Sequence, residues 1–191
     1  RSFDMDYPDT ARAARFISEL KRFEAAGDMP RLQVLRLPND HTAGTSSGKR
    51  TPIACVADND LAFGQVIEAI THSKFWPKCA IFVIEDDAQN GPDHVDAHRS
   101  IAFAISPYVK RGSVDSSMYS TSSMLRTMEL ILGLRPMSQF DLAARPMYHS
   151  FHATPDLRPY TAETPRARLD ETNPKTAWGR KQSDKMNFAK E

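Results

Sequence analysis

The 191-residue chain is short of several things, and each shortage excludes a class of protein. Its formal net charge is only +1, from 25 Lys and Arg against 24 Asp and Glu. No one-signed field therefore points to nucleic acid or to a charged membrane surface. It has two cysteines, Cys55 and Cys79, too few for a disulfide framework. Both sit in or beside apolar runs and read as buried free thiols, with a single bridge left open if the protein is exported. No apolar run reaches bilayer length, none reads as a signal peptide, and no internal repeat is visible. The chain starts at Arg1 without a Met, and a piece of a longer protein is expected. What remains is ordinary globular composition, 40% hydrophobic and 26% charged, in a length that suits one domain with a real core.

The most informative stretch runs from Cys79 to Arg99. Apolar residues up to Ile84 lead without a spacer into Glu85, Asp86 and Asp87, and a loop with Asp93, His94, Asp96 and His98 follows. Crowded carboxylates and imidazoles raise one another's ionisation cost unless a cation or solvent relieves it. Asp86 and Asp87 are the leading ligand candidates for a divalent ion, Zn, Mg, Mn or Ca. The competing reading is a solvated acidic loop. Glu85 alternates with the pair, which points it to the other face of the strand or into a salt bridge. His94 and His98 have the spacing of one helical face, although Gly91-Pro92 interrupts the segment. Arg99 suits either a phosphate or an ion pair with Asp93 or Asp96. His72, His149 and His152 lack a supporting cluster and read as surface or packing residues.

The elements predicted are a helix over Asp9–Ala26 with Asp9 as N-cap and Gly27-Asp28 as its end, and a strand over Leu32–Leu37. A loop over Thr42–Pro52, a helix over Asp58–Ser73, buried strands over 79–84 and 101–105, and a helix from about Ser120 to Leu132 follow. Thr121 or Ser122 is expected to cap the last helix and Gly133 to stop it. A helical crossover between the strands at 32–37 and 80–85 predicts parallel pairing. That would bring Asp40 and His41 to the same sheet edge as Asp86 and Asp87, where α/β folds bind ligands. After Met147 the Pro-rich sequence predicts an irregular wrapping tail of the same domain (148–191 against 1–147), fraying beyond about Trp178.

Leu37-Pro38-Asn39-Asp40-His41-Thr42, Ala57-Asp58-Asn59-Asp60, Ile81 to Arg99 and Ser106-Pro107-Tyr108-Val109-Lys110-Arg111-Gly112 together resemble the bacterial phosphoesterase family of acid phosphatases and phospholipases C. That family lies in the alkaline phosphatase superfamily, and the branch is one often fused behind a β-propeller. The tail pieces Asn173-Pro174 and Ser183 to Phe188 have counterparts there. The resemblance implies an α/β fold with a three-layer, alkaline phosphatase-like sheet and helices on both faces, of which this chain is a C-terminal portion. It implies a phosphate ester substrate, no nucleic-acid partner, a secreted or periplasmic location and metal-assisted in-line phosphoryl transfer. Carried over by motif, Asp40, Asp86, Asp87 and His98 would bind metal, His41 and His94 would be catalytic, and Arg99 would bind substrate. The sequence departs from the superfamily in two places. Asp40 and His41 are adjacent rather than four apart, and the second pair is Asp-Asp rather than Asp-His. Both departures favour harder, oxygen-rich coordination over a two-zinc site. The family's nucleophile lies in an N-terminal portion, and no motif supports Thr42, Thr45, Ser46 or Ser47 in that role. The rival readings are a non-catalytic, metal-stabilised binding or surface module and a phospholipase C-like hydrolase of lipid head groups.

Overall fold

The structure, a computed structural model, describes residues 4–86 and 100–186. Among these it is a mixed α/β protein with five α-helices and one two-stranded antiparallel sheet. It divides into two compact units. One comprises residues 1–74 with 159–191, the other residues 75–158.

The first unit is built on two long helices, α1 (Asp9–Ala26) and α2 (Pro52–Thr71), packed on each other. Their contact buries Ala13 and Leu20 from α1 with Ala54, Ala62, Val66, Ile67 and Ile70 from α2. Alanine at the tightest positions lets the helix backbones approach closely. The cap of α1 is Pro8, in extended conformation with no side-chain bond, so Asp9 is the first helical residue and not the predicted cap. Its carboxylate is turned to other partners. Gly27 ends α1 at φ 80°, donating to Phe23 O and Glu24 O, a left-handed conformation that glycine adopts without a Cβ clash. α2 starts six residues before the predicted Asp58. Thr51 accepts the Ala54 N–H at 3.1 Å and Pro52 takes the first turn, where its missing N–H costs nothing.

The predicted strand over Leu32–Leu37 does not form. Leu32, Val34 and Leu35 are exposed, Val34 to 92%. The segment has apolar residues but no strand beside it among the described residues, and an unpaired strand has no ladder to hold it. The parallel pairing predicted for it is therefore corrected. The strand β1 (Ile81–Ile84) instead pairs antiparallel with β2 (Ala102–Ile105), Ile81 opposite Ile105 and Ile84 opposite Ala102. β1 and β2 are only partly covered, with Ile84 and Phe103 exposed, where buried strands were expected.

In the second unit α3 (Thr121–Leu132) and α4 (Gln139–Ala143) pack together. Ser120, one residue before the predicted caps, closes a capping box with Ser123, and Gly133 stops α3 at φ 70°. The residues after 158 belong to the first unit. Gly64 on α2 lies under Ala162 and Tyr160, and Tyr160 N donates to Thr71 Oγ1 at 3.0 Å. Beyond Trp178, where fraying is predicted, a short helix α5 (Arg180–Ser183) forms among the described residues.

Candidate active site

Asn39, Asp40 and His41 form a single 3-10 turn, and the reason it sits where it does is buried behind it. Asp9 and Asp58 are 0% and 2% exposed. Asp9 Oδ2 accepts the backbone N–H of Asn39 at 2.8 Å, and Asp58 Oδ2 accepts the Asn39 side-chain amide at 2.7 Å. The same amide donates to Tyr7 O at 3.3 Å. Both neighbours are acceptors, so the orientation of the Asn39 amide is settled by its surroundings. Asn59 donates to Asp9 Oδ2 at 3.0 Å and to Leu37 O at 2.8 Å. Asp58 also receives Asp9 N at 2.7 Å and Thr10 Oγ1 at 2.8 Å.

Two arginines balance the charge of the buried pair. Arg12 Nη1 is 2.9 Å from Asp9 Oδ1, and Arg50 Nη1 is 3.3 Å from Asp58 Oδ2. Burial pushes the Asp9 carboxyl above the usual carboxylate range, against the pull of the Asn39 N–H, the Asn59 amide and Arg12. Burial would do the same to Asp58, but hydrogen bonds from Asn39, Thr10 and Asp9 N, with Arg50 beside it, hold it below that range. The two carboxylates thus share a site but not an environment.

His41 Nδ1 lies 3.2 Å from Thr42 O. A carbonyl oxygen only accepts, so Nδ1 carries the hydrogen, and in the neutral ring the lone pair is on Nε2. Thr42 has φ 60° and ψ 174°. It is the only non-glycine with positive φ among the described residues. That region is almost closed to residues with a Cβ, and such outliers gather at functional sites. Downstream, the loop over 43–50 is tied by the tail. Asn173 donates its amide to Gly44 O, Ser46 O and Arg50 O, and Ser183 Oγ accepts Thr45 N at 3.1 Å.

Asp86 follows β1 as an exposed residue in the other unit. Ser100 Oγ donates to Glu85 O at 2.5 Å, and Glu85 N to Ile101 O at 3.1 Å, extending the hairpin by one residue on each side. Asp87, His94, His98 and Arg99 lie outside the described residues, as do Asp93 and Asp96. Of the seven residues picked from sequence, the structure brings Asp40 and His41 together on one turn. Without a strand over 32–37, no sheet edge among the described residues is shared by Asp40, His41 and the end of β1. Among the described residues no three His, Cys, Asp or Glu side chains gather as a metal-binding group. The carboxylate of Asp40 is a donor of the type that suits a divalent ion, and the His41 Nδ1–H bond to Thr42 O fixes the tautomer of the neighbouring ring.

Sequence pattern does not mark Asp9, Asn39, Asp58 and Asn59 as site residues, because each has a commonplace explanation as a cap, a turn former or a helix start. One signal was present. Asp58 lies on the α2 face otherwise made by Ala54, Cys55 and Ala62, and a carboxylate among small apolar neighbours needs donors. His72 and His149 are exposed and bonded locally, to Glu68 O and to Arg145, as expected of surface residues. Both cysteines are free, Cys55 buried and Cys79 half-buried. Among the described residues no helix is long and apolar enough to cross a membrane.

No curated protein matches the sequence. The sequence model of the Phosphoesterase family matches residues 2–135, a span that holds the Asn39–His41 turn, the two buried carboxylates behind it and the acidic stretch after β1. The chain therefore belongs to the Phosphoesterase family, whose activity is the hydrolysis of phosphate esters.

Proposed function

We propose that the chain contributes to a divalent-metal phosphoesterase centre acting by in-line phosphoryl transfer. By motif, Asp40, Asp86, Asp87 and His98 are assigned to metal binding, His41 and His94 to proton handling, and Arg99 to phosphate contact. A bound divalent ion would supply electrostatic stabilisation of charge on the phosphoryl oxygens. The chain's own residues supply the rest. The Thr42 carbonyl holds His41 in the tautomer whose Nε2 can take or return a proton. Arg99 offers a planar fork that fits two phosphoryl oxygens. The observation that carries this reading is the Asp40–His41 turn, fixed from behind by buried carboxylates and followed by a strained Thr42, inside the family-matched span.

A three-layer alkaline phosphatase-like architecture is part of the proposal. Its support is local. A two-stranded sheet is marginal by itself, and this one leaves Ile84, Ile101 and Phe103 exposed. Further strands and helices against it would cover them.

Calorimetric titration with Mn²⁺ tests the metal assignment, with far-UV dichroism as the check on folding. Wild type is expected to bind, and Asp86→Asn with Asp87→Asn to lose binding while remaining folded, since removing two like charges relieves repulsion in the metal-free protein. Unchanged Mn²⁺ affinity in the double variant overturns the assignment.

A further inference from the structure

Asp9 and Asp58 are enclosed too completely to touch a substrate, yet a carboxylate is costly to take out of water. An apolar pair of similar volume would join α1 to α2 with less desolvation, and replacing buried ion pairs by packed hydrophobes is often neutral or stabilising. What carboxylates do that hydrophobes cannot is fix the direction of a donor. Here both act on one residue. Asp9 takes the backbone N–H of Asn39 and Asp58 takes its side-chain amide, at 2.8 and 2.7 Å. Two divergent donors held by two separate helices leave Asn39 no rotation that keeps both bonds. Asn59 closes the other side by bonding Leu37 O, so Pro38 and Asn39 are gripped from both ends. Asp40 is the next residue, and His41 follows within the same turn.

We propose that Asp58, acting with Asp9 through Asn39, is a positioning residue that sets the orientation of the Asp40–His41 turn. The inference rests on the assignment of Asp40 and His41 to the reaction made above, but its geometry is independent of that assignment. Asp58 gathers the starts of the structure. The N–H of Asp9, the hydroxyl of Thr10, the amide of Asn39 and the guanidinium of Arg50 all point at its carboxylate. Removing its charge while keeping its shape leaves the Asn39 amide facing a group that no longer accepts on both oxygens. The turn then loses one of its two fixed directions while the helix packing of Ala13, Ala54 and Ala62 stays.

The test compares Asp58→Asn with Thr71→Val in the full chain. Thr71 is also buried and hydrogen-bonded on α2, to Glu68 O and Tyr160 N, but lies 13 residues further along, about 20 Å at the helical rise. Two readouts are taken beside thermal unfolding: the ring ¹⁵N shifts of His41 by NMR, and Mn²⁺ affinity by calorimetry. Wild type should show the Nδ1–H tautomer as a single ring species. Asp58→Asn should lose that single species and weaken Mn²⁺ binding at least tenfold, whereas Thr71→Val should be destabilised with both readouts unmoved. A folded Asp58→Asn with the wild-type His41 ring signal and Mn²⁺ affinity overturns the proposal, leaving Asp58 as core packing. Should wild type bind no Mn²⁺, the functional reading fails, and the His41 ring comparison still decides the positioning role. If Asp58→Asn does not fold, Asn59→Ala, which removes the grip on Asp9 Oδ2 and Leu37 O, is judged by the same His41 signal.

Discussion

At the scale of single residues, Thr42 shows how local strain and chemistry meet. Its φ of 60° with ψ of 174° costs on the order of 1–3 kcal/mol for a residue with a Cβ. The conformation persists because its N–H reaches Asn39 O at 3.1 Å, its hydroxyl accepts Gly44 N at 3.1 Å, and its carbonyl receives His41 Nδ1. Releasing the strain and removing the hydroxyl can be separated. Thr42→Gly removes the Cβ clash but adds backbone entropy to the unfolded chain. Thr42→Val keeps the clash and loses the hydroxyl bond, itself worth about 1 kcal/mol. Urea unfolding should therefore rank Thr42→Gly above Thr42→Val by about 1–2 kcal/mol, the strain less the entropy term. Equal stability of the two variants would mean that the strain at Thr42 is no larger than the backbone entropy that glycine adds.

At the scale of elements, caps decide boundaries that hydrophobic pattern leaves open. Ser120 accepts the Ser123 N–H and Ser123 answers with its own hydroxyl, so Ser120→Ala should destabilise by about 1 kcal/mol. Thr121→Ala and Ser122→Ala lie inside the helix and should cost less than half as much; a larger loss from either in thermal unfolding would move the cap. Sequence pattern located α1 and α3 closely because each has an apolar face and a glycine stop, Gly27 and Gly133. It missed the first six residues of α2 because Pro52 read as the end of a Gly- and Ser-rich loop, when Thr51-Pro52 is a start signal. It made a strand of Leu32–Leu37 because apolar content shows a wish to be covered, not the presence of a partner. The hairpin followed the apolar runs, and its antiparallel pairing sets Ile81 opposite Ile105 and Ile84 opposite Ala102. Asp40 and His41 stood out by chemical type. The carboxylates that hold them did not, because Asp9 and Asp58 become neighbours only when α1 and α2 pack.

At the scale of the whole molecule, the carboxylates divide the response to acid between the two units. In residues 75–158, Asp115 and Asp156 are held well below the usual range, Asp115 by Ser117 and Ser150 and Asp156 by Arg158 and Arg111. Asp141 is lowered to about 2, first by the Ser138 hydroxyl and also by the Met137 N–H, against its burial. Every one of these groups stabilises the fold above its unfolded value near 3.9 and loses that contribution as pH falls through the folded value. In the other unit Asp58 behaves the same way, but Asp9 is raised and has the opposite sign. Its contribution is complete below the unfolded value and is lost as pH rises through the folded one. The two buried carboxylates behind the Asp40–His41 turn thus oppose each other, while those of the second unit add. Asp141→Asn isolates one of the additive groups, since the amide cannot titrate and loses an acceptor for Met137 N and Ser138 Oγ. Urea midpoints for wild type and variant should differ by a constant amount above about pH 4 and converge as pH falls toward 2. Curves that stay parallel through that window would show that Asp141 is not held in its ionised form by the fold.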